Sequence, residues 1–519
     1  MRLNKTGLYT IYLILFVSLI SGTILFNGCT DTPKTEDAFK PSGDTVADGK
    51  KLVEMYCTKC HQLVPPDALN KDVWKFHTLP AMSHYLGLST YGIAYFKKTP
   101  DTSGVSLTNW QIIQDYYAKL APKELPASKP SVPLINDWAG FSLQKPREDK
   151  NIVYTTMVNV DQSTSKIYSS DVVSAKLLEW DKELKSRDVA QLPSAGVDAN
   201  FTKDDAGSPA AIVSSIGELQ PMDFPNGKLV RIRLNQKEEI TVPGVLASEL
   251  ARPVQSVPGD FNKDGLGDWV ICAQGNKAGA VYLLTQKADH SYSQSTITKQ
   301  AGAVQARVGD FNNDGWPDIM ILFGSHDEGL WLFLNNQKGS FTSKNLLHFP
   351  PVYGSTSFQL IDMNHDGKLD LIYTSGYNYR DSRIMKPYHG LYIFTNQGAW
   401  NFKQKYFYPI NGCTKAIATD FDGDGDIDIA TIAFFADLKN KPGEGVVYFE
   451  QEKPMSFKPH AIPVSTYGRW MSMDTISNPK GGPDIVLGNY AMGLSIYPDL
   501  KRFWNMHLPL IVLRNHTKK

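Results

Sequence analysis

Cys57, Cys60 and His61 stand together in GKKLVEMYCTKCH, residues 49–61. Two thiols three positions apart, followed at once by an imidazole, have the C-x-x-C-H spacing of covalent c-type haem attachment. Each thiol can add to one vinyl group of the porphyrin, and the adjacent His then faces the iron as proximal ligand. Three other uses compete. A structural zinc site needs a second Cys/His pair at matching distance, and the sequence has none. A thioredoxin-like redox pair needs a βαβ setting, whereas the flanks here read as helical. The third is a chance match. For the second axial position the candidates are Met82, after the Leu-Pro-Ala turn, with His84 and His77 behind it. A methionine there would raise the reduction potential; the competing use of Met82 is core packing.

A second chemistry recurs along the C-terminal half. The segments GDFNKDGLGDWVI, GDFNNDGWPDIMI, IDMNHDGKLDLIY and TDFDGDGDIDIAT share D-x-[ND]-x-D-G-x-x-D. Side-chain oxygens at positions 1, 3, 5 and 9 converge, glycine at 6 allows the sharp turn, and a hard cation such as Ca²⁺ suits that oxygen cage. The expected ligand sets are Asp260, Asn262, Asp264, Asp268; Asp310, Asn312, Asp314, Asp318; Asp362, Asn364, Asp366, Asp370; and Asp420, Asp422, Asp424, Asp428. The carbonyls of Leu266, Trp316, Lys368 and Asp426 are expected to join them, giving about four calcium sites. The alternative is a plain tight turn. Four copies in register argue against it, because the clustered carboxylates would repel one another without a cation.

The elements that must hold these residues follow from the pattern. Leu52, Val53, Met55 and Tyr56 can form an apolar helix face ahead of the thiols. Residues 106–120 read as a second helix, N-capped by Ser106 or Thr108, with Trp110, Ile113 and Tyr117 on one face. The first aspartates of the four loops are residues 260, 310, 362 and 420, steps of 50, 52 and 58. A degenerate copy is expected to open at Asp474 and another to lie at 197–215. A period of this length with several short strands per unit means propeller blades. Residues 148–519 at about 53 per unit give close to seven, with six or eight the alternatives. The expected fold is therefore multidomain: a small all-α domain followed by an all-β propeller.

Arg2 and Lys5 precede an uncharged run over 7–26 that ends in Phe-Asn-Gly-Cys at 26–29. This reads as an export signal; an uncleaved transmembrane anchor is the alternative. The small residue before Cys29 resembles a bacterial lipoprotein lipobox, which implies lipidation of Cys29 and a membrane attachment through the lipid. The expected organisation is signal peptide 1–29, tether 30–45, helical domain 46–122, Pro-rich linker 123–147 and propeller 148–519. Both readings place the chain outside the cytoplasm, in the periplasm or on the cell surface.

Lys plus Arg and Asp plus Glu both number 53, and this zero balance argues against nucleic-acid binding. Cys272 and Cys413, the thiols left over, fall in blades too far apart to bridge and are expected to be free and buried. In an up-and-down blade the connections from second to third strand share the face opposite the acidic loops. Tyr377, Tyr379, Arg380, Arg383 and His389 fall in an insertion on that face. Gln255, Gln305, Ser357, Lys415 and Arg469 stand five residues before each repeat's first aspartate, and with Trp470 they are expected to ring the channel mouth. They form the candidate partner face; a solvated rim is the alternative. No catalytic constellation is identifiable.

Residues 46–122, with CTKCH and its two flanking helices, resemble a small class I cytochrome c domain. The acidic loops resemble FG-GAP/VCBS repeats of integrin-type β-propellers, in which calcium is structural and pins the hairpin between a blade's first two strands. The resulting expectation is an exported, lipid-anchored monohaem cytochrome that passes electrons to a redox partner protein, its propeller a docking platform for a partner, a glycan or a small molecule. The alternatives are a propeller-based oxidoreductase using the haem as electron acceptor, and an adhesion or carbohydrate-binding lipoprotein.

Overall fold

The computed structural model describes residues 39–88, 105–204, 206–234, 241–378, 384–478, 481–493 and 500–517. The leader, Cys29, Tyr379, Arg380, Arg383 and the side chain of His84 lie outside the described residues. Residues 1–48 and 49–519 form two compact units. Among the described residues no helix is long and apolar enough to cross a membrane.

Helix α1 (Thr45–Cys57) starts at Asp44, whose carboxylate accepts from the N–H groups of Val46 and Ala47. It buries Leu52 and Val53 fully, while Met55 is 44% exposed, so the inward face is 52, 53 and 56 rather than the wider one read from sequence. Helix α2 (Leu79–Tyr85) follows a single π turn, and α3 (Leu107–Leu120) is capped by the Ser106 hydroxyl on Asn109 N–H. Trp110, Ile113, Tyr116 and Tyr117 of α3 are buried. Tyr117 stacks 3.9 Å from Trp74 and its hydroxyl donates to Val64 O at 3.1 Å. Gly49 permits this crossing: a Cβ there would lie 2.3 Å from Tyr116 Cβ.

Seven β-sheets follow, one per blade. Their first, innermost strands are Thr155–Asp161, Gly196–Lys203, Pro253–Gly259, Ala303–Gly309, Ser355–Ile361, Cys413–Thr419 and Trp470–Ile476, which open blades 1 to 7. The second strands of blades 3 to 7 are buried along their whole length and supply the apolar layers between blades. The ring closes through residues ahead of blade 1. Strand Phe141–Gln144 pairs antiparallel with Leu510–Asn515 and completes blade 7, while Ile135–Asn136 adds a parallel edge to blade 6. Part of the stretch read as a linker is therefore propeller. The pairing partner lies at the far end of the chain, so local composition does not announce it.

The polar residues expected at the channel mouth have a different task. Six of the seven innermost strands carry a side-chain oxygen that accepts a main-chain N–H of the next blade. Asn159 accepts from Ala199, Asp198 from Ser256, Gln255 from Ala306, Gln305 from Phe358, Ser357 from Ala416 and Asp474 from Val160. This girdle locks neighbouring blades in register. Among the described residues, the junction of blades 6 and 7 has no such acceptor. Lys415 stands there instead, half-buried and acting on Asp474 and Asp198. Asp474 thus lies inside a strand, not at the opening of a fifth loop; the innermost strand of blade 7 runs on to Ile476.

Candidate functional site

Cys57 is the last residue of α1, and Cys60 and His61 lie in the turn that follows. Both thiols are free; Cys57 is partly covered and Cys60 exposed. Burial, then Cys60, pushes the Cys57 thiol up to about 11. His61 Nδ1 lies 2.8 Å from Gln62 O, a geometry that keeps the proton on Nδ1 and leaves Nε2 as a lone-pair donor. The donor set of one half-buried thiol, one exposed thiol and an oriented imidazole fits covalent haem. Met82 sits half-buried within α2 rather than on a loop, and His77 is exposed.

The four acidic loops share one conformation. Residues at position 4 (Lys263, Asn313, His365, Gly423) and the glycines at position 6 (Gly265, Gly315, Gly367, Gly425) all have positive φ. Sequence reading found the second and missed the first, since only blade 6 carries glycine at position 4. The position-1 carboxylate accepts from the position-6 N–H in every loop, for instance Gly265 N to Asp260 at 3.0 Å and Gly425 N to Asp420 at 3.1 Å. Asp268, Asp318, Asp370 and Asp428 at position 9 are fully buried. Each accepts one N–H from position 2 and one from the end of the third strand, as Asp318 does from Phe311 at 3.0 Å and Asn335 at 2.8 Å. The hairpin is thereby tied to the body of its blade.

Like charges gather in these loops. Asp268, Asp318 and Asp370 are pushed above the usual carboxylate range by burial and then by the carboxylates at positions 5 and 1. Burial first, with Asp422 adding to it, pushes Asp428 up to about 7. Asp420, Asp422 and Asp428 bring carboxylate oxygens within 4.8 Å of one another. The corresponding hairpins of two other blades are neutralised by protein. Arg514 holds Asp484 at 2.6 Å in blade 7, and Arg233 holds Asp204 at 3.1 Å in blade 2. The hard-oxygen donor set of the four full loops fits a divalent cation, Ca²⁺ foremost.

The connections from second to third strand lie on the opposite face, and there the helical segment sits. Tyr388 of blade 5 donates its hydroxyl to Ala68 O at 3.0 Å. The Lys277 ammonium of blade 3 lies 5.1 Å from the centre of the Tyr85 ring. His326 of blade 4, between them, is held below its usual pKa by burial and next by His61. A cavity of 230 Å³ opens at the channel mouth on this face, walled by Leu219, Tyr377, Phe434, Phe435 and Met471 with Arg252 at its edge.

Of the residues expected to make contacts, Tyr377 lines this cavity and packs edge-on against Phe435. His389, Arg469 and Trp470 do not face solvent: they are 2%, 3% and 2% exposed. The Arg469 guanidinium lies 3.8 Å over the Phe434 ring and donates to Phe434 O and Gly493 O. Its pKa falls to about 9 because of burial. Lys415 lies in the channel with Asp198, Arg307 and Asp474, a balanced set of two acids and two bases. Cys272 and Cys413 are free and fully buried.

The repeated loops decide the classification of this region: residues 260–321 and 310–373 match the model of the FG-GAP-like repeat. Residues 260–373 carry FG-GAP-like repeats. Among solved structures the chain is similar to virginiamycin B lyase from Staphylococcus aureus in selenomethionine-substituted form, at 11% identity and TM-score 0.43 over 72% of this chain and 98% of that one. A catalytically inactive form of a lyase of that name with quinupristin gives 11% identity and TM-score 0.44, covering 72% of this chain and 99% of that one. No curated protein matches the chain.

Proposed function

We propose that this chain is an exported, lipid-anchored monohaem c-type cytochrome whose FG-GAP propeller, stiffened by calcium, docks a redox partner beside the haem. The observation that supports the reading is the Cys57, Cys60 and His61 run at the end of α1, in a helical segment that meets the propeller through Ala68 and Tyr85. Cys57, Cys60 and His61 would hold the haem, and a bound haem would supply one-electron transfer. His61, held through Nδ1 on Gln62 O, would offer Nε2 to the iron, and the two thiols would tether the porphyrin. The acidic loops would hold calcium through Asp260, Asp310, Asp362, Asp420 and their partners, and keep the face rigid from behind. The partner chemistry this face favours is aromatic and apolar, from Tyr377, Phe434, Phe435 and Met471.

The test is a reduced-minus-oxidised absorption spectrum with a pyridine haemochrome assay. It uses the mature chain exported from a host with c-type maturation machinery. One covalent haem per chain with a reversible α-band is the expected result. A folded, calcium-loaded protein without covalent haem would overturn the electron-transfer reading and leave the propeller as a binding module.

A further inference from the structure

The cavity at the channel mouth serves neither the acidic loops nor the C-x-x-C-H run. Its volume is 230 Å³, and its walls come from several blades. Phe434 and Phe435 follow the second strand of blade 6, Asp428–Ala433, and Tyr377 follows that of blade 5, Asp370–Ser375. Leu219 stands in the matching connection of blade 2, and Met471 joins from the innermost strand of blade 7. The rings meet nearly at right angles. Tyr377 and Phe435 have centres 5.8 Å apart at 86°, and Phe434 and Phe435 have centres 5.0 Å apart at 78°. Edge-to-face contacts of this kind are a favoured aromatic geometry, so the walls stand ready before a ligand arrives. Behind them the Arg469 guanidinium lies 3.8 Å over Phe434 and holds that ring from the far side. A cavity of about 150 Å³ lined by apolar side chains takes a benzene. The larger volume here admits a substituted ring or two fused rings.

The polar groups at the cavity select the substituent. Among the described residues that line it, Arg252 is the one that carries a charge. Arg252 is 8% exposed, and its guanidinium donates to the carbonyls of Glu218, Leu219 and Gly275 at 3.1–3.3 Å. Neutral carbonyls orient a guanidinium without cancelling its charge. Thr356 and Thr414 also reach the cavity, but their hydroxyl protons go to the Thr374 and Ile432 carbonyls. An apolar cleft with one placed cation at its edge is the design of a small-molecule site. We propose that this cavity binds an aromatic carboxylate of one or two rings, the ring against Tyr377 and Phe435 and the carboxylate towards Arg252. The proposal goes beyond the haem reading and does not depend on it, since no residue that would hold haem lines the cavity.

The experiment titrates the full mature chain, loaded with calcium, by isothermal calorimetry. The probes are 2-naphthoate, its neutral amide 2-naphthamide, and the saturated decahydronaphthalene-2-carboxylate. The variants are Met471→Phe, which fills the cavity, and Tyr377→Ala, which removes a half-exposed wall, with far-ultraviolet circular dichroism as a check on folding. The wild type is expected to bind one 2-naphthoate per chain. The amide is expected to bind about tenfold more weakly, the worth of one charge-assisted contact. The saturated acid should also bind more weakly, because it lacks the flat ring. Met471→Phe should lose binding and Tyr377→Ala should weaken it. Absence of saturable 2-naphthoate binding to the folded wild type would overturn the proposal. Equal affinity for the acid and the amide would overturn the role given to Arg252, and undiminished binding by both folded variants would place the ligand outside this cavity. Each of these outcomes reads the same with or without covalent haem, so the haem reading stands or falls separately.

Discussion

The Tyr388 hydroxyl donates to the Ala68 carbonyl at 3.0 Å, joining residues 320 positions apart in the chain. Tyr388 also stacks on Tyr353 with ring centres 4.7 Å apart, so the donor is held by blade 5 before it reaches across. This bond fixes the helical segment on the propeller. Tyr388→Phe keeps the stack and removes the bond. We expect a loss of about 1 kcal/mol, the usual net worth of one hydrogen bond. Hydrogen exchange should quicken in residues 66–85 and stay unchanged in the blades. Equal exchange in both would show that Tyr388 does not hold the segment.

Calcium should bind the four full loops and bypass blade 7. Asp428→Asn removes the buried carboxylate that ties the blade 6 hairpin to Gln451 N–H. Bound calcium per chain, measured by atomic absorption after dialysis, should fall by one. Asp484→Asn should leave it unchanged, because Arg514 already neutralises that position at 2.6 Å. Chelation should lower the thermal midpoint of the wild type; at calcium about a hundredfold above Kd each loop adds roughly 2.7 kcal/mol.

The girdle is a stability device, and its members should behave as such. Gln305→Ala leaves the Phe358 N–H without its acceptor, a bond of 2.8 Å. An unmet N–H in the propeller interior costs about 1–3 kcal/mol. Chemical denaturation should register that loss while haem content stays unchanged. A spectral change at the haem with no loss of stability would mean that Gln305 belongs to the site instead.

His389 makes stability depend on pH. It is 2% exposed, and burial, with Lys386 beside it, holds its pKa well below the ordinary 6.5. The unfolded chain therefore takes up a proton near 6.5 that the folded chain refuses. The stability due to neutral His389 is complete above that pH and is lost as pH falls below it, by at most about 1.4 kcal/mol per pH unit. Asp198 and Glu328, raised by burial to about 6 and about 7, act in the opposite direction, so the check is a difference. Denaturation curves of wild type and His389→Gln should converge on acidification. A constant gap at all pH values would exclude the histidine as the cause.

The parts that were legible in the sequence are those in which residue type and spacing carry the physics within a short window. The acidic loops need carboxylates and glycine at fixed offsets, so Asp260, Asp310, Asp362 and Asp420 announce both the turn and the blade period. The weak copy at 197–215 also falls on a first hairpin, that of blade 2. Asp474 deceived because aspartate suits a girdle position as well as a loop, and only the strand register separates the two. Gln255 and Gln305 looked like a channel rim because their acceptors meet main-chain N–H groups about fifty residues on, which no side-chain pattern records. The blade-closing strand Phe141–Gln144 is likewise long-range. Arg469 and Trp470 read as contact residues because arginine and tryptophan dominate interfaces; here a carbonyl cage and a core cluster use the same properties.

The account stands most directly on covalent haem at Cys57 and Cys60. The measurement is the intact mass of the exported mature chain, alongside that of Cys57→Ser/Cys60→Ser. The account predicts a mass increment of one haem in the wild type that resists acid–acetone extraction and is absent from the double variant. A wild-type mass equal to that of the unmodified polypeptide, in a protein that folds and binds calcium, would contradict it.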